Sequence, residues 1–167
     1  PIILYDFPAL THLDMSPGLI ARLASIKNVV GIKVTGTAEK TEEVLKAVKR
    51  DDFAVFIGTS FLLLKVLEMG GAGVIDPVPC IAPGDVVSLY ESFRKGDRER
   101  AAQYQGKLYA LMGLLAVSPQ PAAVKEAMRQ LGHPIEPHVK RPLQQAMTPE
   151  QRETVRKSLI DMGLLKS

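Results

Sequence analysis

The sequence has a single cysteine, Cys80, and no tryptophan. One thiol excludes an internal disulfide and suits a reducing compartment, so a cytoplasmic setting is expected. Aromatic residues make up only 5% of the chain, and its Lys and Arg residues are scattered among Asp and Glu. A nucleic-acid surface concentrates cations on one stripe with aromatics between them, so a net charge of +3 does not point to nucleic acid. No apolar run reaches the roughly 18 residues that a membrane-spanning helix needs, and no membrane partner is expected. His, Cys, Asp and Glu show no metal-ligand spacing, and no dinucleotide fingerprint or phosphate-binding P-loop is present. There is no solenoid repeat and no low-complexity tract. What remains is 167 residues, 46% hydrophobic and 23% charged, enough for one domain with a substantial core.

Four short apolar runs rich in β-branched residues stand out, at residues 1–5, 29–34, 53–57 and 73–75. Each is nearly continuous, the pattern of parallel strands covered on both faces. Helical stretches lie between them. Ser16-Pro17 supplies an N-cap and a proline at the first helical position, and Leu19, Ile20, Leu23 and Ala24 then share one side. A second helix is predicted over 37–50, with Val44, Leu45 and Val48 spaced for one buried face. A third, over 60–69, is apolar nearly all round and ends at Gly70-Gly71. After Pro83 only helices are predicted, over 83–95, 98–117, 119–131 and 149–162. Pro134, Pro137 and Pro142 make 132–147 an extended connector.

Strand and helix thus alternate four times, which predicts a parallel α/β sheet. Four βα units are half of a TIM (β/α)8 barrel, and an open flavodoxin-like sheet is the alternative. The division expected is 1–82 for the half-barrel and 83–167 for its last helix and a helical extension. Pro1 opens the chain inside an apolar run, so the chain is read as part of a longer one.

In such folds the working residues lie at the C-terminal ends of the strands. Those ends are Tyr5-Asp6, Lys33-Val34-Thr35, Gly58-Thr59-Ser60 and Asp76-Pro77. Lys33 follows Val29, Val30, Gly31 and Ile32 out of a buried strand. Desolvation there favours the free amine, which attacks carbonyls; otherwise Lys33 pairs with a carboxylate such as Asp76 or Asp6. Tyr5, on the neighbouring strand, either relays a proton to bound substrate or packs its ring at the rim. Gly58, Thr59 and Ser60 offer backbone room and hydroxyls for a substrate carboxylate or hydroxyl, although Ser60 also suits an ordinary helix cap. His12 faces the same rim and reads as a surface residue, while His133 and His138 fall in the proline-rich connector.

Several motifs together carry a resemblance. Tyr5-Asp6-Phe7-Pro8-Ala9 resembles the Y-x-x-P segment, and Gly31-Ile32-Lys33 the G-[IVM]-K segment, of the dihydrodipicolinate synthase/N-acetylneuraminate lyase family. Phe56-Ile57-Gly58 and Gly70-Gly71-Ala72-Gly73-Val74-Ile75 resemble its seventh and eighth strands. Pro119-Gln120-Pro121, Leu131-Gly132 and Arg141-Pro142-Leu143 resemble its C-terminal helices. The resemblance spans the whole chain. It implies the second half of a (β/α)8 barrel with a helical extension, in a homotetramer that needs no cofactor. It also implies that Lys33 forms a Schiff base with pyruvate or another 2-keto acid, that Tyr5 shuttles the proton, and that Ile75 touches the pyruvate unit through its backbone.

Three departures from the family pattern refine these expectations. The family's carboxylate-binding G-T-T-G-E loop belongs to the first barrel half, so the chain by itself is expected to be inactive. Leu10 stands where the synthases carry arginine, and Lys33-Val34-Thr35 replaces their K-E-A, making Thr35 a candidate substrate contact. Ser60 and Phe61 stand where sialic acid lyases place acidic residues. The expected reaction is therefore cleavage or formation of a short 4-hydroxy-2-keto acid, giving pyruvate and an aldehyde. The alternatives are a dihydrodipicolinate synthase, joining pyruvate to aspartate semialdehyde, and a non-catalytic paralogue or binding module.

Overall fold

The computed structural model describes residues 1–143 and 147–166, and the expected connector therefore runs partly outside them. The chain divides into two compact units, Pro1–Asp76 with Phe93–Gly96, and Pro77–Ser92 with Asp97–Ser167.

The first unit is built on four parallel strands in sequence order. These are β1 (Ile2–Asp6), β2 (Val29–Val34), β3 (Ala54–Ile57) and β4 (Gly73–Val74). Between β1 and β2 lie α1 (Pro8–Thr11) and α2 (Pro17–Ala24). Ser16 caps α2 as predicted, accepting a hydrogen bond from the Leu19 amide. Next comes α3 (Ala38–Ala47), capped by Thr37, and between β3 and β4 a 3-10 turn (Ser60–Leu62) leads into α4 (Leu63–Glu68). α3 stops short of the predicted 50 because Val48 adopts an extended backbone. Gly70 ends α4 with a φ of +95°, a conformation that needs no Cβ, and the Gly71 amide returns to the Val66 carbonyl.

Because strand side chains alternate, each strand gives one row to each face of the sheet. One face carries Leu4, Ile32, Val34 and Val55, and it buries Ile20, Ala24 and Val44 of α2 and α3. The other face carries Ile3, Gly31 and Ala54 in one row, and Tyr5, Lys33, Phe56 and Gly73 in the next. As expected of four βα units taken alone, the inner row of β1 is uncovered, and Ile3 and Tyr5 are each 50% exposed. The helices of the unit pack on the other face of the sheet.

The second unit is helical and begins with α5 (Val78–Ile81) and α6 (Pro83–Arg94). It continues with α7 (Arg98–Ala116), α8 (Ala122–Gln130) and α9 (Pro149–Asp161). Leu108, Leu111 and Leu114 of α7, Ala123 and Ala127 of α8, and Val155 and Leu159 of α9 are buried at the 3.6-residue period. Thr148 and Gln151 form a capping box that starts α9. Buried Glu126 is held by Arg129 and Gln130. Burial opposes its charge, but those hydrogen bonds and the guanidinium charges outweigh that and hold its carboxyl below the usual range. The described part of the 132–147 connector has no helix or strand. Among the described residues no helix is long and apolar enough to cross a membrane.

Candidate active site

The carboxyl ends of β1 to β4 form the rim on which the predicted site residues lie. In the register of the sheet, Lys33 stands level with Tyr5 on one side and Phe56 on the other, all on the uncovered face. Lys33 is partly buried, and its Nζ lies 4.3 Å from the centroid of the Tyr5 ring. The Tyr5 ring is braced in turn by Phe7, 5.7 Å away between centroids and tilted by 35°. The ring face packs against the end of the lysine side chain and helps to fix its position.

The two carboxylates that could have neutralised Lys33 are engaged elsewhere. Asp6 is buried; its Oδ1 accepts the Met15 amide at 3.2 Å, and its Oδ2 lies 3.8 Å from the Nζ of Lys40. Asp76 accepts both the backbone N–H and the hydroxyl of Ser60, at 2.5 and 2.8 Å. Among the described residues no carboxylate lies within ion-pair distance of Lys33. The amine thus stands beside a phenol, with no salt bridge among the described residues.

Thr35 and Gly58 meet edge to edge at the ends of β2 and β3. The Thr35 Oγ1 is buried without a hydrogen-bond partner. A Cβ on Gly58 would fall 2.0 Å from that oxygen, 2.8 Å from the Thr35 Cβ and 3.0 Å from its Cα. Gly58→Ala is therefore expected to cost about 2 kcal/mol by forcing the two strand ends apart. Denaturant unfolding of the full-length variant checks this. Thr35→Ser should not restore the loss, since the clashing Cβ and Cα remain; an unchanged midpoint in Gly58→Ala would contradict the close approach.

Ser60 is 0% exposed, and its two donors are directed at Asp76. The cap of the turn is Thr59, whose side chain accepts from the Phe61 amide. Ile75 continues the edge strand and is 42% exposed. Leu10 lies in α1, 72% exposed, on the loop that leaves Tyr5. His12, exposed at the end of α1, holds a φ of 56°. His133 and His138 are exposed in the connector. The sheet register adds Phe56 to the Lys33 row. The alternation of β3 could have revealed it, since Phe56 is two residues before Gly58.

Four parallel βα units, with a lysine and a tyrosine on adjacent strand ends, match half of a (β/α)8 barrel. The chain belongs to the dihydrodipicolinate synthetase family, which it matches over residues 1–161. The 4-hydroxy-tetrahydrodipicolinate synthase of Methanoculleus marisnigri is 35% identical over 164 residues, covering 98% of this chain and 56% of that protein. That of Syntrophus aciditrophicus is 34% identical over 166 residues, covering 99% and 56%. Among solved structures, the E. coli prophage protein YagE, a member of the same family in complex with pyruvate, matches with a TM-score of 0.93. It is 31% identical, over 98% of this chain and 56% of YagE. Thermotoga maritima dihydrodipicolinate synthase matches with a TM-score of 0.90 at 33% identity, over 98% and 56%. The chain spans a little over half the length of the curated relatives it matches.

Proposed function

We propose that the protein to which these residues belong is a Schiff-base-forming lyase that uses pyruvate, with Lys33 as the nucleophile and Tyr5 as the proton relay. The observation that carries this reading is the amine of Lys33, 4.3 Å over the Tyr5 ring, partly buried and with no carboxylate partner among the described residues. Its Nζ attacks the keto carbon of pyruvate, and the resulting carbinolamine loses water to give an iminium. Loss of a methyl proton from that iminium yields the enamine, which attacks an aldehyde. The iminium serves as the electron sink, a role that elsewhere falls to a cofactor. Tyr5 carries protons to and from the carbinolamine oxygen and the new alkoxide. A relative bound to pyruvate supports the choice of keto acid.

For the aldehyde, the names of the relatives favour condensation with aspartate semialdehyde, the synthase reaction. One observation favours the second reading, a short 4-hydroxy-2-keto acid that is cleaved. Leu10 is exposed and apolar at the place where a guanidinium would clamp the semialdehyde carboxylate. Competition assays on the full-length protein separate the two. The synthase reading expects turnover with aspartate semialdehyde, and a KM for it that Leu10→Arg lowers about tenfold by restoring a bidentate contact. Cleavage of short hydroxy-keto acids at higher kcat/KM, with Leu10→Arg making no difference to semialdehyde, would replace it with the second reading. The same proposal takes 1–82 as the barrel half and 83–167 as its last helix and extension. It places the whole enzyme in the cytoplasm as a homotetramer and makes these residues inactive without the other barrel half.

A further inference from the structure

The strand ends are linked across the rim by single backbone bonds. The Thr35 amide donates to the Asp6 carbonyl at 2.8 Å, Gly58 to Val34 at 2.7 Å and Ile75 to Ile57 at 3.0 Å. Past that point the ladder between β3 and β4 stops, because Ser60 enters the 3-10 turn and Asp76 is followed by Pro77. The Asp76 side chain bridges the interruption. Its Oδ2 accepts the Ser60 N–H and its Oδ1 the Ser60 hydroxyl. β4 is only two residues long, so few ladder bonds hold it and such a link counts for more there than on its neighbours. A strand held by so few bonds opens locally at low cost.

We infer that the Asp76–Ser60 pair is a positioning device for the reaction: it fixes the end of β4, and Ile75 with it, against the Gly58 turn on the rim that carries Lys33. The inference rests on the Schiff-base reading of that rim. Ser60 is wholly buried, and both its N–H and its hydroxyl donate to Asp76. Two donors converge on one carboxylate, which sets distance and orientation together. The link is a matter of hydrogen-bond geometry more than of charge. An asparagine at 76 would accept the Ser60 N–H through its oxygen and donate to the Ser60 Oγ, whose hydroxyl is free to rotate.

The test uses the full-length protein with Asp76→Ala, Ser60→Ala, the double variant and Asp76→Asn. The readouts are the KM for pyruvate, the rate at which borohydride traps pyruvate on Lys33, and the thermal midpoint. Each alanine variant is expected to raise KM and slow trapping about tenfold, because small displacements of a substrate-facing rim weaken catalysis steeply. The double variant should be no worse than either single one, since both break the same link. Asp76→Asn should stay within about threefold of the unsubstituted protein. Alanine variants with a lowered midpoint but unchanged KM and trapping rate would overturn the inference, as would additive losses. Should the alanine variants not fold, Asp76→Asn decides alone: tenfold impairment in a folded Asn variant overturns it. Trapping in the unsubstituted protein reports the Schiff-base reading itself, so the two failures are distinguishable.

Discussion

Lys33→Arg in the full-length protein is expected to lower kcat/KM by at least about 10⁴-fold, to the background rate. Arginine keeps the positive charge and can sit over the Tyr5 ring as the ammonium does, so the contact that orients residue 33 survives. What it cannot do is release a nucleophilic lone pair, because the guanidinium stays protonated at any working pH. The variant therefore separates the chemistry of Lys33 from its packing. Its thermal midpoint should lie within a few degrees of the parent, because the contact with the Tyr5 ring is kept. Turnover within tenfold of the parent would show that the amine is not the nucleophile and leave Lys33 as a cation on an aromatic shelf.

Tyr5→Phe is expected to lower kcat by about 10²–10³-fold, the usual contribution of a positioned proton donor and acceptor. The ring is what touches Lys33 and Phe7, and phenylalanine preserves both contacts. The pyruvate KM should accordingly change little, and borohydride should still trap pyruvate on the lysine, only more slowly. Loss confined to kcat is the signature of an interaction made in the transition state, whereas a rise in KM alone would assign the hydroxyl to ground-state binding. A variant with unimpaired kcat would remove Tyr5 from the chemistry and leave its ring as a support for Lys33.

Much of this arrangement was legible in the sequence, for physical reasons that differ between elements. β2 is an apolar run interrupted by a single charge, so Lys33 announced itself by position alone. The start of α2 at Ser16-Pro17 was equally plain, because cap and proline are local signals. The uncovered inner face of β1 followed from the count of strands, since four βα units alone leave the inner layer of a barrel without its opposite wall. The burial of Ser60 was hidden, since the carboxylate that engages it lies sixteen residues along the chain and meets it only through the sheet register. Lys33 was expected either to attack a carbonyl or to pair with Asp6 or Asp76. Those acids turned out to serve Met15 and Lys40 in one case and Ser60 in the other. α1 and α5, four residues each, are too short to show a helical period.

The central claim is that Lys33 forms an imine with pyruvate, and reductive trapping tests it most directly. The full-length protein is incubated with pyruvate and borohydride, digested, and mapped by mass spectrometry. The account predicts one reduced pyruvate adduct, on the peptide containing Lys33, absent when pyruvate is omitted and absent from Lys33→Arg. An active preparation that yields no adduct at Lys33, or carries it on another lysine, would contradict the account.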